Sequence, residues 1–251
     1  MGVLPILVGH IMSKYETNDQ CASEVMTPMC CSGCFIGPGM NVTYLGRTRL
    51  QKPDDPMNSL IEDIQSCRLC ANKFAHTATA HEPRPVVWFR PGARILIAGQ
   101  APGARVHESG RPFTDPSGDR LRDWLGLDET GFYDRSRVSI VPMAFCFPGY
   151  NARKADLPPP PICGRTWHDK VMAALGEVPL TILVGGHAHK YHLGGKTPVT
   201  ETVSRWRDHA PRVFALPHPS WRNTAWLKKN PWFEAELLPV LRARVQEVLN
   251  D

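Results

Sequence analysis

The chain has 251 residues, 42% of them hydrophobic and 21% charged, which suits one substantial core and excludes a fibrous or wholly disordered polymer. Its formal charge is +5, and because residues 1–58 hold four basic against five acidic side chains, the excess lies in the remainder, where it suits a polyanionic partner without requiring one. No apolar stretch approaches the roughly 20 residues that span a bilayer, the apolar start lacks a basic leader, and eight cysteines are too sparse for a disulfide scaffold, so the expectation is a cytoplasmic protein without membrane contact whose thiols are reduced or metal-bound.

Residues 1–58 lack sustained periodicity and read as a poorly ordered N-terminal extension, with Cys21, Cys30, Cys31 and Cys34 as incidental thiols. Residues 59–251 read as one domain. A helix is predicted from Ser59 towards Cys67, capped by Asn58 or Ser59. Four short, apolar, β-branched runs then predict buried parallel strands at Arg94–Ala98, Val138–Val141, Leu180–Val184 and Arg212–Leu216. Helices are predicted at Ser117–Leu125, Gly164–Leu175, His187–Leu193 and Pro231–Leu249, the last bent at Pro239. Repeated strand–helix units predict an α/β fold, a three-layer sandwich whose central four-stranded parallel sheet carries helices on both faces.

Cys67 and Cys70 form a C-x2-C pair near a predicted helix end, and Cys146 and Cys163 bracket a proline-rich loop that needs an anchor. Four thiolates can hold zinc or an iron–sulfur cluster, and the spacing alone does not separate the two. Further along, Gly99-Gln100-Ala101-Pro102-Gly103 follows the first predicted strand, a turn that lets backbone N–H groups approach an anion or carbonyl. It continues into Gly110-Arg111-Pro112-Phe113-Thr114-Asp115-Pro116, and the last predicted strand hands over to His218-Pro219-Ser220. Both elements fall at strand ends, where open α/β sheets bind ligands.

Taken in order, these elements resemble the uracil-DNA glycosylase superfamily, and within it the iron–sulfur branch called family 4, over about residues 59–251. The resemblance implies a DNA repair hydrolase that flips uracil or a related deaminated base from DNA and cleaves its N-glycosidic bond. It implies a [4Fe-4S] cluster on Cys67, Cys70, Cys146 and Cys163, with structural zinc as the alternative. Phe113 would stack on the base, the backbone N–H groups of Gln100 and Ala101 would bind a base carbonyl, and His218 would meet the charge that develops on the leaving base.

Two departures from the branch stand out. Gln100 occupies the place of a glutamate and cannot act as a base, and Pro142 occupies the place of the asparagine that reads the uracil edge, which broadens the expected specificity. Asp115 is the candidate for positioning water, against a plain helix-capping role, and His107 is a weaker one. The run after His218 adds Ser220, Trp221, Arg222, Lys228 and Lys229 without an acidic residue before Glu234, a pattern for phosphate contact with Trp221 and Arg222 as a wedge. Trp226 and Trp232 are expected to anchor the last helix, and Trp124 and Trp206 to lie in the core.

With no lysine in the matched motifs to form a Schiff base, the reading is a monofunctional, monomeric, nucleoid-associated glycosylase. The alternative is a non-catalytic protein of the same fold that grips DNA or a damaged base, its cluster purely structural.

Overall fold

Each of the four β-branched runs becomes a strand within one residue of its predicted limits: β1 (Ile95–Ala98), β2 (Val138–Ile140), β3 (Leu180–Val184) and β4 (Val213–Leu216). The computed structural model describes residues 55–251, so the readings placed on residues 1–54, including Cys21, Cys30, Cys31 and Cys34, lie outside the described residues. The strands form one sheet in the order β2-β1-β3-β4, every pair parallel. Parallel neighbours need crossovers long enough to carry helices, and the sequence supplies them. Helices α1 (Pro56–Gln65) and α2 (Ala71–Ala75) precede the sheet; α3 (Ala104–Ser109), α4 (Pro116–Leu125) and α5 (Glu129–Tyr133) link β1 to β2. Helix α6 (Pro161–Leu175) links β2 to β3, α7 (Gly186–His192) and α8 (Val199–Ser204) link β3 to β4, and α9 (Thr224–Lys229) and α10 (Leu238–Asn250) follow.

Strand side chains alternate between two cores, as a two-residue repeat requires. Ile95 and Ile97 join Leu121 and Leu125 of α4, Phe132 of α5 and Leu241 and Val245 of α10. Leu96, between them, joins Ile64 of α1 and Val171 and Leu175 of α6. The result is the predicted three-layer α/β sandwich. Trp124 and Trp206 are buried in the first core, and Trp226 and Trp232 pack against Phe233 at its margin.

Proline explains where the helices depart from prediction. α1 starts at Pro56 rather than Ser59, and its cap is Asp55, whose carboxylate accepts from the Met57 N–H at 3.1 Å, in place of Asn58 or Ser59. Pro161 likewise starts α6 three residues before Gly164; a first-turn proline has no N–H to leave unsatisfied and brings a helical φ. The predicted helix Pro231–Leu249 is instead a π-helical turn at Phe233–Leu237 leading into α10, with Pro239 in the first turn of α10. Pro239 offers no N–H to the carbonyl four residues back and crowds it, so the preceding turn widens. At the far end of α10, Arg94 and Arg137 donate to the carbonyls of Val248 and Leu249 at 3.2 and 3.0 Å. Among the described residues no helix is long and apolar enough to cross a membrane.

The chain leaves β1 towards β2 on one side and later departs β3 towards β4 on the other, so a crevice opens beyond the carboxyl ends of β1 and β3.

Candidate active site

A cavity of about 120 Å³ occupies that crevice, with Gln100, Ala101, Phe113, Asp115, Asp156 and His218 among its lining residues. Sites for drug-sized ligands run to about 300–1,000 Å³. This one suits a single planar base rather than a whole nucleotide.

The turn after β1 is held from outside the cavity: the carbonyls of Gly99 and Gln100 accept from the N–H groups of Met143 and Ala144 at 2.9 and 3.2 Å. The N–H groups of Gln100 and Ala101 engage no acceptor among the described residues and remain available to a ligand carbonyl. Phe113 has a φ of +55°, a left-handed conformation uncommon for a side chain of this size. Three features over-determine it. Tyr133 Oη donates to its carbonyl at 3.0 Å, its ring meets Phe132 edge-on, and Gly118 packs against its backbone so closely that a Cβ there would overlap its carbonyl oxygen. The ring is thereby presented to the cavity as a rigid platform.

His218 leaves β4 at the opposite wall. The Ser220 N–H donates to its Nδ1 at 3.2 Å, so the ring proton resides on Nε2. Burial pushes its pKa below the ordinary imidazole range, against the opposing pull of Asp115 and Asp156. The result is a neutral ring with one free N–H donor. Asn223 fixes the backbone by donating to the His218 carbonyl at 2.7 Å, and Arg120 of α4 donates to the Ser220 carbonyl at 3.1 Å.

Asp115 is the N-cap of α4: its Oδ1 accepts from the Gly118 N–H at 3.3 Å and from the Ser117 hydroxyl. Asp156 is a wall residue that sequence reasoning missed. It belongs to the loop between Cys146 and Cys163, a stretch with no recognisable motif, and only the fold brings it to the cavity that His218 lines. His107 does not line the cavity; its ring packs against His81 and Phe147. Pro142 does line it, and its carbonyl accepts from His168 Nε2 at 2.7 Å.

The four cysteines converge on one largely apolar pocket with Ile64, Phe74, Phe145 and Trp167. Burial, reinforced by the other thiols, pushes Cys146 up to about 12, and burial pushes Cys163 up to about 11, in spite of the Phe145 N–H donated to the Cys163 sulfur at 3.4 Å. Among the described residues no three Cys, His, Asp or Glu side chains are grouped so as to hold a single metal ion.

Beyond the cavity rim, Trp221 is 73% exposed, and Arg222, Lys228 and Lys229 lie on the adjoining turn and α9. Ser220 caps that turn by accepting from the Arg222 N–H at 3.3 Å. A cavity sized for one base, walled by a locked aromatic ring and a neutral histidine and bordered by cations, is accompanied by a match of residues 86–242, more than half of the chain, to the model of the uracil DNA glycosylase superfamily, to which the chain belongs.

Proposed function

We propose that the protein is a monofunctional DNA glycosylase that hydrolyses the N-glycosidic bond of uracil or a related deaminated base, after the manner of the superfamily's iron–sulfur branch. The observation that carries this reading is the state of His218: neutral, protonated on Nε2 and fixed by Ser220 at the wall of a base-sized cavity. As the glycosidic bond breaks, its electron pair leaves with the base and charge gathers on a base carbonyl. A preorganised neutral donor lowers that barrier without any cost of reorientation. The free N–H groups of Gln100 and Ala101 add to the same task, and Phe113 supplies stacking that repays base extrusion, itself worth a few kcal/mol. No lysine lines the cavity among the described residues, in keeping with hydrolysis rather than a Schiff-base intermediate.

Pro142 bears on specificity. A proline cannot make the paired donor and acceptor contacts of an amide side chain, so recognition of the base edge falls to backbone groups, and related deaminated bases are admitted with uracil. The exposed Trp221 and the cations Arg222, Lys228 and Lys229 beside it suit the DNA strand on either side of the extruded nucleotide.

The four converging thiols fit a [4Fe-4S] cluster. Four cysteine ligands also suit a single structural zinc ion; the cubane is the group that the iron–sulfur branch carries on four cysteines. Buried thiols pushed up to about 11 and 12 also need a positive centre to ionise against. Bound there, the cluster would act as a structural tie between the segment preceding α2 and the loop that carries Asp156.

Incubation with single- and double-stranded oligonucleotides bearing one uracil tests the reading. The expected product is an abasic site without strand scission and without an adduct trapped by borohydride. Absence of excision of any deaminated base, with DNA binding retained, would favour the non-catalytic alternative. Iron analysis of the purified protein is expected to give about four irons per chain; colourless protein with stoichiometric zinc would count against the cluster.

A further inference from the structure

We propose that Asp156, on the cysteine-bracketed loop, is the carboxylate that orients and deprotonates the attacking water. This rests on the glycosylase reading and supplies the base that Gln100 cannot provide. Three titratable side chains line the cavity, Asp115, Asp156 and His218, beside the Gln100 amide and the Ser117 hydroxyl. An amide takes no proton at neutral pH, and His218 already spends its acceptor nitrogen on the Ser220 N–H and its proton on the leaving base. Asp115 has one oxygen committed to capping α4 and to the Ser117 hydroxyl. The Asp156 side chain has no hydrogen bond or ion pair among the described residues, leaving both carboxylate oxygens open to a ligand or water.

The backbone around Asp156 is braced as a reacting group requires. Tyr150 and Asp156 form an antiparallel bridge, and the Leu157 N–H donates to the Gly149 carbonyl at 2.9 Å. Asn151 closes the turn, its Oδ1 accepting from Arg153 and Ala155 N–H groups at 2.9 and 3.1 Å. The turn is pinned to the segment after α2: the Ala78 N–H donates to the Tyr150 carbonyl at 3.3 Å, His81 Nε2 lies 2.9 Å from the Phe147 carbonyl, and a Cβ on Gly149 would meet the Thr77 hydroxyl at 2.8 Å. Asp156 is itself solvent-exposed, and this bracing keeps its carboxylate at the cavity that His218 lines.

The C1′–N bond breaks with its electrons passing to the base nitrogen; the water oxygen bonds to C1′ while one water proton passes to the Asp156 carboxylate. The carboxylic acid then returns that proton to the base anion, leaving a neutral base and an abasic sugar. Nothing else is consumed.

The test is single-turnover excision by Asp156→Asn on a uracil-containing single strand across pH 4–9, beside binding to the same strand carrying a non-cleavable 2′-fluoro uridine. General-base assistance is worth about 10²–10⁴ in rate, so the expected result is a loss of about 100-fold or more in the excision rate across that range, with affinity within about threefold. Excision within about threefold of wild type would overturn the assignment, as would a weakened affinity that accounts for the whole loss, which marks Asp156 as a base-reading group. A rate loss of that size in Asp115→Asn, with Asp156→Asn near wild type, would transfer the role to Asp115. Thermal melting guards against misfolding, and Asp156→Glu, which keeps the carboxylate, is expected to recover part of the rate. Failure of the wild-type protein to excise any base strikes the glycosylase reading itself, so the two failures are told apart.

Discussion

His168 donates its Nε2 proton to the carbonyl oxygen of Pro142 at 2.7 Å from a side chain with no solvent exposure. The cavity wall that carries Pro142 is therefore held from behind by α6, through a ring wedged between Phe145 and Tyr191. His168→Phe keeps a ring of similar size and removes the donor, leaving a carbonyl unsatisfied. It is expected to lower stability by about 1–3 kcal/mol in denaturant unfolding; an unchanged midpoint would mean that packing alone holds this wall.

Gly118→Ala should be far more damaging than its small size suggests. The added methyl would overlap the Phe113 carbonyl oxygen, in the backbone that presents the stacking ring. Overpacking of this kind costs about 1–3 kcal/mol, read as a lowered melting temperature, and the displaced ring should weaken excision as well. Gly164→Ala is the contrast: it lies inside α6 with its nearest neighbour 3.8 Å away, so it should be neutral or stabilising by up to about 1 kcal/mol.

Removal of one preorganised donor of this class typically costs about 100- to 1,000-fold in rate. His218→Ala is expected to lose that much in single-turnover excision with little change in affinity for uncleaved DNA, whereas Gln100→Ala, which leaves the backbone N–H groups in place, should lose much less. Near-full excision by His218→Ala would show that charge on the base is met elsewhere.

Arg222→Ala combined with Lys228→Ala should weaken binding to damaged and undamaged DNA alike and reduce the slope of log K against log salt by about 1 for each phosphate that is no longer neutralised. An unaltered slope would make these cations bystanders. Trp221→Ala should reduce excision from duplex more than from a single strand, because only the duplex has a stack to be opened.

Acid should destabilise the fold through its histidines. His168, His189, His192 and His218 are all held below the ordinary imidazole range, chiefly by burial, and His192 reaches about 4 with help from the neighbouring His168. Unfolded, they take up protons near pH ~6.5, so below that pH the unfolded chain binds more protons than the folded one, and stability falls as pH drops towards the folded values. Melting temperatures should be flat from about pH 8 to 7 and decline towards pH ~5. His192→Phe should shallow that decline; a melting temperature that rises on acidification would contradict the argument.

The strands were legible because a parallel strand buried on both faces must be apolar along its length, and Leu180–Val184 leaves no other reading. Gln100 and His218 were legible because each stands in a short motif at a strand end, and Phe113 because it stands in the Gly110-Arg111-Pro112-Phe113 motif before α4. Helices of five or six residues such as α2, α3 and α5 carry too few turns for periodicity to register, and tertiary contacts set them. Asp156 was invisible for a different reason. Its significance lies in sharing a cavity with His218, a residue more than sixty positions away, and nothing in Ala155-Asp156-Leu157 announces it.

Helix α10 gives Leu238, Leu241, Val245 and Val248 to the same core as the central strands, and its final carbonyls are tied to Arg94 and Arg137 at the opposite edge of the sheet from the cavity. During vectorial synthesis all four strands emerge before this helix, so the part of that core filled by Leu238, Leu241, Val245 and Val248 stays open until it docks, although α4 and α5 already cover the rest. Apolar surface on that face of the sheet is therefore exposed until α10 packs, the kind of surface that makes folding intermediates prone to aggregate.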